Sequence, residues 1–476
     1  MKNIVKTIRS ETINYSDKLA IIDGKYKITY DELLIAVDRT SVELEKYSVK
    51  TFKRVALLCK DSIDYVILSL AVLKISAIIV PVPFASSKEE IDRVLKEMKI
   101  DFLIFEKGLY ASNKAKHLKI SSGRGVKFLI LSRVSAFNSP RGFYSMNPAF
   151  IRFSSGTTGI SKGVVISHEA IIQRTEAANK GLHVVSDDTI LWVLSMSFHF
   201  VVTILLFLRR GATIILAGHD FPEGLLGALR EHRPSFIYAS PLHYHLLSSL
   251  GAIPREALAK VRIAVSTAVK LPLEIARMFR IKFGIELSEA YGIIEVGLPF
   301  INSSQAIRKR GSVGKILPDY RIKIINKDNK GAGEICLKGP GFFSAYFSPW
   351  KNANGILVDG RFNTGDIGRL DKDGFLFLIS RAGSIINYCG MKIFPYEVEL
   401  IINHHPAIKE SLVFGIPHPR YGQLPNAKIV LKNVKTKIDI NEVRQFCYQR
   451  LAPYKVPKEF HCVSILDKTP SGKLKR

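Results

Sequence analysis

The stretch Ile151-Arg-Phe-Ser-Ser-Gly-Thr-Thr-Gly-Ile-Ser-Lys-Gly-Val164 decides how the rest of the chain is read. It starts with the texture of a strand end and then packs hydroxyls and glycines around one lysine. Backbone N–H groups converge on an anion only where the chain bends tightly, which glycine permits, and hydroxyls donate to anionic oxygens. Ser154, Ser155, Thr157 and Thr158 supply hydroxyls, Gly156, Gly159 and Gly163 allow the path, and Lys162 supplies the charge. An ammonium ~4 Å from a phosphate contributes ~4 kcal/mol at a surface-like dielectric, before desolvation. The loop is therefore expected to cradle phosphate. It is not a Walker A loop, GxxxxGK[ST], because Ser161 stands at the second glycine and Gly163 at the magnesium-binding Ser/Thr.

On either side of this loop, apolar runs of strand length alternate with amphipathic helical stretches. Arg54–Cys59, Ala77–Pro81, Phe102–Phe105, Phe128–Leu131, Thr213–Leu216, Phe236–Tyr238 and Val261–Val265 read as strands, with helices around Ile63–Lys74 and Glu89–Met98. That alternation predicts layered, parallel α/β structure. After Gly311 the texture changes: Tyr320–Ile325, Gly333–Lys338 and Phe375–Ile379 are separated by Gly, Asn and Asp turns, which predicts a small antiparallel, β-barrel-like unit. Beyond residue 383 the pattern is mixed again, with a helix near Tyr396–Asn403, strands near Ser411–Phe414 and Ala427–Leu431, and a helix near Ile440–Leu451. We expect a large α/β N-terminal domain, 1–382, followed by a small α+β C-terminal domain, 383–476.

At 476 residues and 47% hydrophobic content, the chain has the makings of a folded globular protein. Its net charge of +27 is diffuse, without a basic block or aromatic-interleaved stripe, which argues against nucleic-acid binding. Such a field suits polyphosphates, acidic proteins or anionic lipid surfaces, so peripheral membrane contact stays open. The five cysteines are scattered without metal-ligand spacing, and the N-terminus lacks the apolar core of a signal peptide, which points to the cytoplasm. Leu191–Leu208 is uncharged and close to membrane-spanning length, but two serines, a histidine and a threonine interrupt it. We read a buried strand, a turn near Ser197–His199 and a buried helix.

Four further motifs follow in order: Tyr291-Gly-Ile-Ile-Glu295, Asn363-Thr-Gly-Asp366, the segment Arg381 to Glu399 with Gly390 and Lys392, and Pro470-Ser-Gly-Lys473. Together with SSGTTGISKGV they resemble the signatures of the adenylate-forming superfamily, which includes acyl-CoA synthetases, luciferases and peptide-synthetase adenylation domains. The resemblance covers nearly the entire chain. It implies that Thr157, Thr158 and Lys162, with Ser154, Ser155, Gly156 and Gly159, hold the phosphates of ATP, and that Glu295 holds Mg2+. It implies that Tyr291, Gly292 and Ala268 lie by the adenine, and that Asp366, assisted by Arg381, accepts from the ribose hydroxyls. Lys473 is expected to reach the substrate carboxylate and α-phosphate as the catalytic lysine, with Lys162 and Thr158. Gly383 corresponds to the hinge of a mobile C-terminal domain.

The family's chemistry is attack of a carboxylate on the α-phosphate of ATP, then thiol capture of the acyl-adenylate. His199, Phe198 and Ser266 fall in the acyl-pocket region. No aspartate stands there to pair with an α-amino group, so an apolar fatty or aryl acid is expected. Coenzyme A is the expected thiol, with the phosphopantetheine of an acidic acyl carrier protein as the alternative. The chain departs from the family at Ile294 (usually Thr), Ser266 (usually Gly), Gly383 (usually Asp or Lys) and Asn387 (usually Lys). These departures keep open a degenerate member that binds without catalysing.

Overall fold

The computed structural model of the protein describes all residues except 121, 134–137, 156–160, 219–220, 251–252, 269–270, 304–307, 328–330, 382–385, 394, 434–437 and 467–476. Two nine-stranded sheets form the body of the large domain. The first runs Lys315–Ile316, Gly297–Ile301, Leu287–Ile293, Ile263–Ser266, Phe236–Ala239, Thr189–Trp192, Thr213–Leu216, Leu19–Asp23, Tyr26–Thr29. Its six inner strands are parallel and its outer ones antiparallel. The second runs Lys351–Asn352, Ala345–Tyr346, Ser161–Ser167, Pro148–Ser155, Ile78–Pro81, Arg54–Leu58, Phe102–Glu106, Phe128–Ser132, Lys116–Leu118. Parallel strands covered on both faces are apolar throughout, which is why these segments read as continuous runs and not as alternations. In the second sheet Pro148–Ser155, Ile78–Pro81, Arg54–Leu58 and Phe102–Glu106 run parallel, and the strands outside them, Phe128–Ser132 among them, pair antiparallel.

The helices form where the sequence supplies a start. Ser62 caps Ile63–Lys74 by accepting from the Tyr65 amide at 3.2 Å. Ser87 and Glu90 form a reciprocal capping box on Lys88–Glu97, satisfying two amides that the helix leaves without partners. The segment Leu191–Leu208 differs from the expected strand–turn–helix. Its strand ends at Trp192, and Ser197–His199 are already helical: an α-turn Met196–His199, a π-turn Phe200–Ile204 and an α-turn Leu205–Arg209. Phe200, Val201, Ile204, Leu205 and Leu208 are all buried, so the apolar run continues the helix where serine alone suggested a break. No helix among the described residues is long and apolar enough to cross a membrane.

The antiparallel unit after Gly311 is an open sheet, not a barrel: Arg321–Ile325, Gly333–Lys338, Phe362–Leu370 and Leu376–Arg381 pair in that order. Arg321–Ile325 and Leu376–Arg381 are its two edges, and the described residues show no pairing between them.

The small domain has its own sheet, in which Met391–Ile393, Ile386–Tyr388, Gly422–Leu431 and Ile408–His418 pair antiparallel and Glu459–Cys462 lies parallel to Gly422–Leu431. Helices Pro395–Asn403 and Ile440–Tyr448 cover it around a separate core including Ile393, Val398, Ile402, Val413 and Ile429. This domain is docked on the large one. Lys455 donates to Glu90 at 2.7 Å and to Glu397 at 3.1 Å, the Ala452 amide donates to Glu90 at 3.1 Å, and Ser87 donates to the Arg450 carbonyl at 2.7 Å.

Candidate active site

Strands Pro148–Ser155 and Ser161–Ser167 form one hairpin, with Ser154 opposite Lys162 and Ser155 opposite Ser161. The loop thus joins two strands, whereas a Walker A loop leads from a strand into a helix. Gly156, Thr157, Thr158 and Gly159 lie outside the described residues, as do Gly383 and Lys473. Gly163 is required for packing. A Cβ there would meet Met98, Ile151 and Phe347 at 2.6–2.9 Å. Its absence lets the strand Ala345–Tyr346 lie against the loop's return strand, Tyr346 opposite Val164.

Lys162 therefore sits beside Tyr346, its Nζ 4.8 Å from the ring centre. The Tyr346 hydroxyl donates to Glu295 Oε1 at 3.2 Å. Glu295 Oε2 has no hydrogen-bond partner among the described residues. A half-buried carboxylate with one oxygen left over fits Mg2+, which is commonly held by one or two carboxylates and substrate phosphates. Behind this group lies Arg174, fully buried, donating to the carbonyls of Ile294 at 3.0 Å and Gly341 at 2.9 Å. Burial lowers the Arg174 pKa to about 10, with Tyr320 and Glu295 acting the other way. It fixes the turn that carries Glu295. Gly292 allows the same turn, since a Cβ there would lie 2.2 Å from the Gly297 carbonyl oxygen.

In open α/β sheets, ligands bind outside the carboxyl ends of the strands. Four adjacent parallel strands here end at Ile293, Ser266, Ala239 and Trp192, and the expected residues follow those ends. Tyr291, at the end of the first, donates its hydroxyl to Asp366 Oδ2 at 2.5 Å, and its ring is nearly buried against Phe300. Asp366 lies opposite Arg381 in the strand register. The preceding Asn363-Thr-Gly365 turn is held by Thr364, whose hydroxyl donates to the Ile335 carbonyl and accepts from the Asp366 amide.

On the other side, His199 meets the rings of Trp192 at 5.9 Å and Tyr238 at 6.5 Å. Phe198 is covered by Arg152, whose guanidinium lies 4.2 Å from the ring centre and donates to the Phe198 carbonyl at 2.9 Å. Burial lowers the Arg152 pKa to about 10, against the pull of Tyr454, Tyr65 and Glu295. Ser266 is buried and its hydroxyl has no hydrogen-bond partner among the described residues, an orphan that a ligand would satisfy. Ala268 holds a φ of +73°, a left-handed conformation that costs a residue with Cβ roughly 1–2 kcal/mol. Gly390, at the tip of the small domain's hairpin, points at it: a Cβ there would lie 3.2 Å from the Ala268 Cβ and 3.7 Å from that of Ser240. The docked small domain thus reaches the end of the strand that carries Ser266.

Tyr346, Arg174 and Arg152 were not picked out in the sequence. Tyr346 and Arg174 lack a motif of their own, and Arg152, though inside the opening stretch, reads as one more strand residue.

The AMP-binding enzyme pattern matches residues 10–347, and that of the AMP-binding enzyme C-terminal domain matches residues 397–473. An oxalate--CoA ligase of Arabidopsis thaliana is 27% identical over 97% of this chain and 95% of its own length. A 2-succinylbenzoate--CoA ligase of Listeria monocytogenes is 28% identical over 96% of this chain and 94% of its own. Among solved structures, o-succinylbenzoate CoA synthetase of Bacillus subtilis superposes with a TM-score of 0.82 at 23% identity, covering 99% of this chain and 96% of that one. Motifs, fold and coverage agree: the chain belongs to the AMP-binding enzyme family and is an acyl-CoA synthetase-like ligase.

Proposed function

We propose that this ligase joins an apolar carboxylic acid, fatty or aryl, to coenzyme A, through an acyl-adenylate and with release of pyrophosphate. The observation that carries the reading is two polar clusters that share the end of strand Leu287–Ile293, Lys162–Tyr346–Glu295 and Tyr291–Asp366. A carboxylate attacking the α-phosphate brings two anions together, so the protein's task is positioning and neutralisation. Lys162, with Ser154, Ser155, Gly156, Thr157, Thr158 and Gly159, holds the phosphates. Glu295 would hold Mg2+, which would supply positive charge against the phosphates. Asp366 and Arg381 take the ribose hydroxyls, and Tyr291, Gly292 and Ala268 border the adenine. Lys473 orients the attacking carboxylate against the α-phosphate.

The thiol step is assigned to the docked arrangement, in which the Gly390 hairpin tip lies against Ala268 and Ser240 at the strand ends. Gly383 then serves as the hinge between domains 1–382 and 383–476. Relatives named as CoA ligases support CoA as acceptor; an acyl carrier protein is the alternative, motivated by the +27 charge. The aromatic wall of Trp192, His199, Tyr238 and Phe198 supports an apolar acid. Arg152 beside Phe198 favours a second reading, an acid with an additional carboxylate, as oxalate and succinylbenzoate have. The five free cysteines support a reducing, cytoplasmic setting.

ATP–pyrophosphate exchange across fatty, aryl and dicarboxylic acids tests this. Exchange with an apolar acid, then thioester formation on adding CoA, is expected, and Lys473→Ala abolishes exchange while sparing ATP binding. ATP binding without exchange for any acid would instead indicate the degenerate, non-catalytic member.

A further inference from the structure

We infer that Tyr346 is a positioning residue that ties the phosphate lysine to the metal carboxylate, setting both for ATP with one side chain. The assignment rests on Lys162 and Glu295 serving ATP as proposed above. The residues around Tyr346 form a strap between the two elements. On one side, the Phe343 amide donates to the Glu295 carbonyl at 2.8 Å. On the other, the Ser344 and Phe347 amides donate to Val165 at 2.8 Å and Gly163 at 2.7 Å, on the strand that carries Lys162. Between them the Tyr346 ring packs 4.8 Å from that of Phe343, which restricts its rotation.

Each end of the ring then has separate chemistry. The face attracts the Lys162 ammonium through the ring quadrupole and needs no hydroxyl. The hydroxyl donates to Glu295 Oε1 and so orients Oε2 outward, and this needs no cation. Removing the hydroxyl alone should therefore loosen the carboxylate without loosening the lysine. Removing the ring loosens both. A residue that merely filled space would not separate metal dependence from nucleotide affinity.

The test is equilibrium ATP binding, with and without Mg2+, on the full chain and the variants Tyr346→Phe and Tyr346→Leu, with thermal melts alongside. For Tyr346→Phe, the Mg2+ concentration giving half-maximal enhancement of ATP binding should rise about tenfold, as for loss of a hydrogen bond to a charged group. Its metal-free ATP affinity should match wild type, and excess Mg2+ should restore the rest. Tyr346→Leu should also weaken metal-free ATP binding by about threefold or more, as for loss of a cation–π contact. A Mg2+ half-saturation within twofold of wild type in Tyr346→Phe would overturn the assignment, as would equal metal-free affinities in all three proteins. Because the readout is binding, its failure is distinct from failure of the ligase reading, which shows only in pyrophosphate exchange.

Discussion

Glu90→Gln should separate the two half-reactions. Glu90 is 5% exposed and sits on the large domain's helix Lys88–Glu97, while Lys455, its partner at 2.7 Å, belongs to the small domain 365 residues away. Burial alone would lower the Lys455 pKa, but Glu397, Tyr454 and Glu90 raise it above its ordinary value, so the lysine stays charged. Glutamine keeps an oxygen for the Ser87 and Ala452 amides but loses the ion pair across the domains, and Lys455 retains Glu397. No buried charge is then orphaned, so the loss is that of a charge-assisted hydrogen bond, about 2 kcal/mol or about 30-fold in the docking equilibrium. Little of this is screened, because both groups are mostly covered. In single-turnover assays, pyrophosphate exchange should persist or rise, while transfer from preformed acyl-adenylate to CoA should slow by up to that factor. Equal slowing of both steps, or an unchanged thioester step, would refute the reasoning that this contact holds the thiol-transfer arrangement.

Ser266→Ala should stabilise the protein by about 1 kcal/mol, because a buried hydroxyl without a partner is removed, while raising the KM for the acid; lower denaturant resistance would show that the hydroxyl is already satisfied. Acid should destabilise the fold. Burial lowers the pKa of His168 and of His243 from 6.5 to about 4, so both stay neutral in the fold. The unfolded chain takes up these protons first, so the contribution is complete above pH 6.5 and is lost as pH falls toward about 4, amounting to about 3 kcal/mol per histidine. Urea midpoints of wild type and His168→Asn at pH 7 and 4.5 check this, and an unchanged pH dependence in the variant would exclude His168 as a source.

The fold was legible because its strands are local signals. Thr213–Leu216 lies on the residues expected, since a parallel strand buried on both faces is a short apolar run between turns, and Gly333–Lys338, an antiparallel strand, lies on the residues expected because polar turn residues bound it. Direction and closure are not local. Nothing within Phe128–Ser132 says that it runs against Phe102–Glu106, and four strands with good turns do not reveal that their edges never meet. The Ser197–His199 turn was misplaced for a related reason: serine breaks a helix only when its neighbours have nothing to bury, and here they are core.

The site divides along the same line. The residues proposed to touch ATP fall in compact motifs, because a loop or turn must present several groups to one small anion at once. Residues that hold those groups obey no such rule. Tyr346 lies 51 positions from Glu295 and opposite the loop's return strand, and Arg174 reaches Ile294 across 120 positions. Each is an ordinary tyrosine or arginine until the sheets bring it there. The four departures read in the sequence take on different weights in this setting. Ile294 has lost a hydroxyl, yet its carbonyl is what Arg174 grips, so the Glu295 turn is fixed through the backbone whatever the side chain. Ser266, by contrast, gains a hydroxyl that finds no partner among the described residues. Leaving a buried hydroxyl unpaired costs about 1–3 kcal/mol, so the Ser266→Ala measurement separates the two cases: a rise in the KM for the acid assigns the hydroxyl to a ligand, and a gain in stability with an unchanged KM leaves it as a cost the fold carries.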